Sequence, residues 1–330
     1  MNTAGRAPER PRLGIVGLGE VGRGLCQRAG RRGLAPLAFV DGSVHAPPFD
    51  RTFQLQVAGW GGELAKSWED LIARAGVIVS VVTPAAAVAV ARRIVAAQRG
   101  AVRLVPLVLV DANSVAPAAK QRIADRCQRA GILFVEGCLF IAHAGGQGRM
   151  RIYLGGAPKA IHRAKSVLTD AGLEPHMVSG PIGTVARLKL LSSVFVKGLA
   201  AVCLEAFATA AVARLEQPLF AETVLRIDQE GLQRFMARNL RSSVVHAARR
   251  SFEMAAAARV VREMGLSPHM GRAAGAWLTA LADLSKADRA RLLQAGDWQE
   301  LTHQLAGALA EPRARASHFA GGSRRRRLAG

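Results

Sequence analysis

Leu13-Gly14-Ile15-Val16-Gly17-Leu18-Gly19-Glu20-Val21-Gly22 decides the fold of this chain. A short apolar run ends in Gly-x-Gly-x-x-Gly, and helix-compatible sequence follows. That order describes a buried parallel strand, a tight turn and a helix N-terminus. Gly17 permits the turn, Gly19 lets backbone approach a pyrophosphate, and Gly22 lets helix and strand pack closely. The helix dipole then faces the phosphates. Leu37-Ala38-Phe39-Val40 reads as a second strand that ends in Asp41, 19 positions after Gly22. A carboxylate about 20 residues beyond the turn is where a ribose diol is bound. Motif and context together point to a dinucleotide held by Gly17, Leu18, Gly19, Glu20, Val21, Gly22 and Asp41.

Outward from this turn, apolar strands alternate with helical segments, the pattern of a doubly wound parallel sheet. Strands are expected at Leu13–Val16, Leu37–Val40, near Phe53–Val57, and at Val77–Val82, Leu107–Val110, Leu133–Phe140 and Met150–Leu154. Helices are expected at Gly22–Gly30, Trp68–Ala75, Ala85–Ala97, Ala116–Ala130 and Pro158–Ala171. Ligands of open parallel sheets collect at the carboxyl ends of the strands. Val82-Thr83-Pro84 ends one strand, with a proline suited to the first turn of the next helix. Asp111-Ala112-Asn113-Ser114-Val115-Ala116-Pro117 ends another and is placed to N-cap the helix after it. Either stretch lines the crevice or is simply a capped turn.

After Gly180-Pro181-Ile182-Gly183 the pattern becomes helix upon helix. Thr184 to about Leu215 forms one long apolar helix, followed by helices near Ala221–Asn239, Val244–Met264, Met270–Leu284 and Asp288–Leu309. The expected division is a flexible tail (1–11), a dinucleotide-binding domain (12–180), a helical substrate and dimerisation domain (181–310) and a basic disordered tail (311–330). On the long helix Lys189, Ser193 and Lys197 recur every fourth residue and share a face. A lysine among apolar neighbours either snorkels to water or is held for a purpose.

The formal charge of +21 raises the question of nucleic acid. Of 45 basic residues, 38 are arginine, and the single tyrosine leaves no aromatic interleaving for single strands. A basic surface that attracts anionic small molecules is the milder account, and nucleic acid is not the expected partner. The longest apolar run, Val77 to Ala91, is broken by Ser80, Thr83 and Pro84, so no membrane span is expected. Met1 to Arg10 has no apolar signal core, which points to the cytoplasm. Cys26, Cys127, Cys138 and Cys203 lack paired metal spacing; no metal is expected, and the thiols read as reduced and partly buried.

These residues together resemble the β-hydroxyacid dehydrogenase superfamily, which includes 6-phosphogluconate and 3-hydroxyisobutyrate dehydrogenases. More narrowly, the chain resembles the bacterial branch with a DUF1932-type C-terminal helical domain. The resemblance rests on Gly17–Gly22, Asp111–Pro117, Gly183-Thr184-Val185-Ala186-Arg187-Leu188-Lys189, Lys197-Gly198 and His246–Met254. It implies a Rossmann-type doubly wound α/β sheet and an all-α, 6-phosphogluconate dehydrogenase-like C-terminal domain, commonly dimeric. It also implies NAD(P)-dependent hydride transfer to or from a small 3-hydroxy acid or related carbonyl compound, with Lys189 as catalytic acid and base and the helical domain closing the site. A lysine serves as base only if its pKa is lowered, which partial burial or neighbouring Arg187 and Lys197 would achieve.

Departures from the family pattern limit the transfer. Ser193 stands where many relatives carry asparagine, and Ala144-Gly145-Gly146 replaces Ser-Gly-Gly in the substrate loop. The hydroxyl that would bind a carboxylate is missing, leaving backbone N–H groups of Gly145 and Gly146. Asn113, Ser114, Gly145, Gly146 and His246 are the substrate-binding candidates, with Val82, Thr83, Pro84 and Asn113 beside the cofactor. Asp41 favours NAD over NADP by repelling a 2′-phosphate, against a basic chain in which Arg51 could turn inward. The alternatives are imine reduction on the same fold and a dinucleotide sensor without turnover.

Overall fold

The computed structural model describes residues 11–40, 49–101, 103–141 and 150–310. The chain divides into two compact units, one up to Phe195 and one from Val196 onward.

The first unit is built on an eight-stranded sheet in the order β3-β2-β1-β4-β5-β6-β7-β8. The strands are β1 (Leu13–Val16), β2 (Leu37–Phe39), β3 (Glu63–Leu64), β4 (Val77–Ser80), β5 (Val108–Asp111), β6 (Leu133–Ile141), β7 (Met150–Gly156) and β8 (Leu173–Met177). The first six are parallel, β7 runs antiparallel to β6, and β8 is parallel to β7. Helices cover both faces, which is why the central strands β1, β4 and β5 are buried at every position rather than at alternate ones. Ile15, Val79 and Val110 point to one side, where α1 (Glu20–Arg31) and α6 (Pro158–Asp170) pack through Leu25, Ala164 and Leu168. Val16, Ile78 and Leu109 point to the other, against α3 (Trp68–Arg74), α4 (Ala87–Arg99) and α5 (Pro117–Arg129) through Ile72, Ile94 and Ile123.

Four local expectations are corrected. The strand expected near Phe53–Val57 is a helix, α2 (Phe49–Gly59), and the strand that pairs with β2 comes later, at Glu63. Pro84 precedes α4, which starts at Ala87, instead of opening it. Asp111 does not cap α5: the cap position is Ala116, with Pro117 in the first turn. A further strand, β8, follows α6 and was not anticipated.

α7 (Thr184–Ala213) is one continuous helix of 30 residues that runs from the first unit into the second. By length and composition it is apolar enough to cross a membrane, so the longest apolar segment is here and not at Val77–Ala91. Among the described residues of the second unit every element is helical: α8 (Glu216–Phe220), a π turn (Ala221–Leu225), α9 (Arg226–Glu230), α10 (Leu232–Val245), α11 (Ala247–Glu263), α12 (His269–Ala282), α13 (Lys286–Gln294) and α14 (Trp298–Leu309). The helix expected over Ala221–Asn239 breaks at Gly231, whose φ of +82° only glycine adopts readily. Asp288–Leu309 is likewise two helices, the second capped by Asp297. The Glu205 carboxylate accepts the N–H groups of Met270 and Gly271 at 2.7 and 2.8 Å and so caps α12.

Candidate active site

One row of paired residues crosses the sheet: Phe39, Val16, Ser80, Asp111, Glu136 and Gly155. It marks the carboxyl ends of β1, β4 and β5, while β6 runs on past Glu136 to Ile141, and the predicted site residues of the first unit lie at or beyond this row. Val16 and Glu136 are three strands apart, roughly 14 Å at the usual ~4.8 Å strand spacing.

At one end is the glycine turn. Gly17 has φ +95°, and a Cβ there would sit 2.7 Å from the Val81 carbonyl oxygen. At Gly22 a Cβ would lie 1.8 Å from the Gly17 carbonyl oxygen, so α1 can approach β1 only with glycine at that position. Gly19 differs: nothing lies within 4 Å of where its Cβ would be, and no side chain caps α1. An uncapped helix N-terminus beside open space, held by two sterically required glycines, fits a pyrophosphate group. Leu18 is buried in the core, Val21 packs against it, and Glu20 is exposed in the first turn. Asp41, Gly145 and Gly146 lie outside the described residues, as does the Arg324–Arg327 tail.

The middle of the edge is held by a buried polar network that the sequence reading did not assemble. Asn113 Oδ1 accepts the Val82 N–H at 2.7 Å, while its amide nitrogen donates to Ser80 Oγ (3.0 Å) and Asp111 Oδ1 (2.5 Å). The side chain of Asn113 thus staples the end of β4 to the end of β5, leaving one lone pair on Oδ1. Lys120, fully buried on α5, donates to the Asp111 carbonyl at 2.6 Å and faces Asp111 Oδ1 at 3.3 Å. Burial pulls the Lys120 pKa below the ordinary lysine value, against the opposite pull of Asp111. The second oxygen, Asp111 Oδ2, is buried without a hydrogen-bond partner. Ser114, Thr83 and Pro84 are exposed, and Val82 is half-buried beside the network.

At the far end β6 anchors the start of α7 twice. The Glu136 carboxylate, fully buried, accepts the N–H groups of Gly183 (2.7 Å), Ala186 (2.7 Å) and Val185 (3.4 Å). These are donors that a helix leaves unsatisfied at its N-terminus, where negative charge is favoured. Three residues further along β6, the Leu139 carbonyl accepts from Lys189 Nζ at 2.7 Å, with the Phe140 ring centroid 4.3 Å from the same nitrogen. Lys189 is half-buried, and so is Ser193 one turn later. His246 is exposed in the second unit, in the break between α10 and α11 rather than on the helix expected there. Arg250 is held by Ser242 and Ser243.

Glu136, Lys120 and Leu139 were missed, though two carried a signal. Glu136 interrupts an apolar strand, and Lys120 falls on the apolar stripe of α5 with Ala119, Ile123 and Cys127. A charge in such a place must find a partner. Among the described residues no three His, Cys, Asp or Glu side chains converge as metal ligands. Cys26, Cys127 and Cys138 are buried thiols with pKa values raised by burial, Cys127 to about 12. Cys203 is exposed.

Comparison with known proteins agrees with this architecture. Residues 12–180 match the NAD-binding domain of 6-phosphogluconate dehydrogenase, and residues 211–281 match a domain of unknown function, DUF1932. An uncharacterised 28.5 kDa protein of Methanothermus fervidus is 27% identical over 150 residues, 46% of this chain and 54% of that protein. The chain therefore spans about half the length of this curated relative. Among solved structures, a conserved hypothetical protein of Sinorhizobium meliloti 1021 is similar over 92% of this chain and 98% of its own, with TM-score 0.53 and 23% identity. An imine reductase from Myxococcus stipitatus, in complex with NADP+, is similar over 89% of this chain and 100% of its own, with TM-score 0.63 and 17% identity. A protein of unknown function described as structurally similar to 3-hydroxyacid dehydrogenases aligns over 82% of this chain and 97% of its own, with TM-score 0.51 and 24% identity. At these identities the likeness is one of fold. The glycine turn, the sheet order and the match over 12–180 lead to one conclusion: the chain belongs to the family defined by the NAD-binding domain of 6-phosphogluconate dehydrogenase, in the branch that carries a DUF1932 domain.

Proposed function

We propose that this protein is an NAD(P)-dependent oxidoreductase acting on a small 3-hydroxy acid or related carbonyl compound, with Lys189 as general acid and base. The observation that carries the reading is the tether of Lys189 Nζ to the Leu139 carbonyl, on the same carboxyl edge as the uncapped glycine turn. The nicotinamide, when bound, supplies or accepts the hydride. Gly17, Gly19 and Gly22 form the turn for its pyrophosphate, and Asp41 favours a free ribose diol, hence NAD over NADP.

Lys189 handles the proton. As a carbon–hydrogen bond is oxidised, neutral Nζ takes the hydroxyl proton and becomes an ammonium; in reduction it returns that proton to the new alkoxide oxygen. An ammonium has three donors, of which Leu139 takes one, so others can face a substrate oxygen. The Phe140 ring, with its centroid 4.3 Å from Nζ, helps to fix where the amine lies. Ser193, one turn along the same face, and Ser114 offer hydroxyls to the substrate. The free lone pair of Asn113 and the backbone of Gly145 and Gly146 complete the proposed set.

Assay of purified protein against hydroxy acids and carbonyl acids with each nicotinamide cofactor tests this. Lys189→Ala should lower kcat by roughly 10²–10⁴-fold while cofactor affinity holds. Full turnover by that variant on an identified substrate removes Lys189 from its role. Tight cofactor binding with no turnover across the panel replaces the enzyme reading with that of a sensor. Imine reduction is the second reading, motivated by the fold shared with the Myxococcus stipitatus enzyme; cyclic imines in the same panel decide it.

A homodimer is part of the proposal. Val196, Leu204, Phe252 and Trp277 of the second unit are 60, 73, 73 and 64% exposed, large apolar side chains that contact with a second copy would take out of water. Light scattering that reports a monomer at micromolar concentration would end that part.

A further inference from the structure

A hollow of about 250 Å³ lies between α4 and α5, lined by Arg92, Val95, Ala96, Arg99, Arg126 and Arg129. On α4 the four lining residues are spaced i, i+3, i+4 and i+7, a single helical stripe with an arginine at each end and an apolar floor between. Both helices connect parallel strands, α4 from β4 to β5 and α5 from β5 to β6. Each therefore begins at the carboxyl edge and returns to the amino edge, and 13 residues at ~1.5 Å each carry it roughly 20 Å. The last turns, with Arg99, Arg126 and Arg129, thus lie at the opposite end of the sheet from the glycine turn. This hollow is not part of the dinucleotide crevice.

The four guanidiniums are not neutralised. Among the described residues none of them pairs with a carboxylate; Arg126 makes only a 3.5 Å contact to the Arg122 carbonyl of its own helix. α4 contains no acidic residue, and the one on α5, Asp125, accepts from Gln121. Elsewhere in the same unit arginines do find carboxylates, as Arg12 and Arg74 do with Glu63. Helix C-termini favour cations in their last turn, which accounts for Arg99, Arg126 and Arg129. It does not account for Arg92, two turns earlier, which lines the same hollow. Guanidinium forks match phosphoryl oxygens two at a time, and four of them around so small a volume call for a compact, multiply charged anion.

We propose that this hollow is a second anion site, taking a short phosphate chain: free pyrophosphate or triphosphate, or the polyphosphate tail of a nucleotide. Calorimetric titration with inorganic pyrophosphate, with and without saturating NADH, tests it. Binding is expected in both cases and weakens as salt rises. The Arg92→Gln, Arg126→Gln double variant should bind at least tenfold more weakly while NADH affinity stays within twofold. Arg92→Lys, Arg126→Lys keeps the charge but loses the fork, and should bind at least threefold more weakly. A control with the same net charge as the glutamine variant, Arg259→Gln, Arg272→Gln, should bind as the parent does. Equal affinity for inorganic triphosphate and ATP assigns the site to the phosphate chain alone, and tighter ATP binding assigns it to a nucleotide. Absence of pyrophosphate binding, displacement of pyrophosphate by NADH, or an equal loss in the control pair overturns the proposal.

Discussion

Glu136→Gln is the sharpest test of how the first unit holds α7, because it changes one atom type and almost no volume. The parent carboxylate accepts two short bonds at 2.7 Å, one on each oxygen, and a third at 3.4 Å that is too long to count for much. All three donors are buried N–H groups at a helix start. A glutamine keeps one acceptor oxygen, so one short bond survives in its weaker, neutral form. The other amide position becomes NH₂ and faces an N–H, which leaves a buried donor unsatisfied at about 1–3 kcal/mol. Loss of charge assistance on the surviving bond adds about 1 kcal/mol. The total is about 3 kcal/mol, or roughly two orders of magnitude in a local opening equilibrium.

Amide hydrogen exchange reads this directly. In Glu136→Gln the Gly183 and Ala186 amides should exchange about 100-fold faster, while those of α1 and β1 keep their parent rates. Acceleration of less than fivefold at both amides would refute the claim that this carboxylate fixes the helix start. The consequence for chemistry follows from register. Leu139 is three residues beyond Glu136 on the same strand, and Lys189 is three beyond Ala186 on the same helix. A loosened helix start therefore loosens the Lys189–Leu139 tether, and kcat on an identified substrate should fall more than KM rises.

The remaining predictions concern the turn, the buried ion pair and the acid limb. Gly22→Ala puts a methyl 1.8 Å from the Gly17 oxygen; fluorescence titration should find NADH binding lost, and parent affinity would mean that the turn is not the cofactor cradle. Lys120→Met leaves the Asp111 carboxylate buried without a counter-charge and should cost about 3–5 kcal/mol in urea unfolding, whereas adding Asp111→Asn should recover most of it. Equal stability of the single and double variants would contradict that pairing. Glu63 is held at a pKa of about 2 by the hydrogen bonds it accepts from Arg74 and Arg12. With a folded value below the ordinary 4.5, its contribution is present above about pH 4.5 and lost as pH falls toward 2. The carboxylate is half-exposed, so the difference between parent and Glu63→Gln should be under ~1 kcal/mol at pH 7 and vanish by pH 2; a difference that grows in acid would reverse the sign of the reasoning.

What could be read from the sequence, and what could not, divides along the range of the interactions. Gly17 and Gly22 were legible because their demands are local: a positive φ at one, and backbone approach within five residues at the other. The helix Phe49–Gly59 was not, because Phe53, Leu55 and Val57 satisfy a period of two, while Phe49, Phe53 and Val57 satisfy a helical spacing of four. Leu55 decides between them, and it is 67% exposed while Val57 is fully buried. A strand covered on both faces would have hidden Leu55; a helix on one face turns it outward.

Lys189 illustrates the harder case. Its position on a helix face was legible, and so was the need for a partner. The partner is the main-chain oxygen of Leu139, 50 residues earlier. Every residue has such an oxygen, so no side-chain pattern marks this one. Glu136 sits in the same position with respect to its donors, main-chain N–H groups 47 to 50 residues later. A charged side chain in an apolar strand announces that it must be satisfied. When the answer is backbone, only the pairing of β6 with the start of α7 supplies it, and that pairing is a property of the folded sheet edge. The residues that orient the proposed acid and base are for this reason the ones that residue patterns pass over.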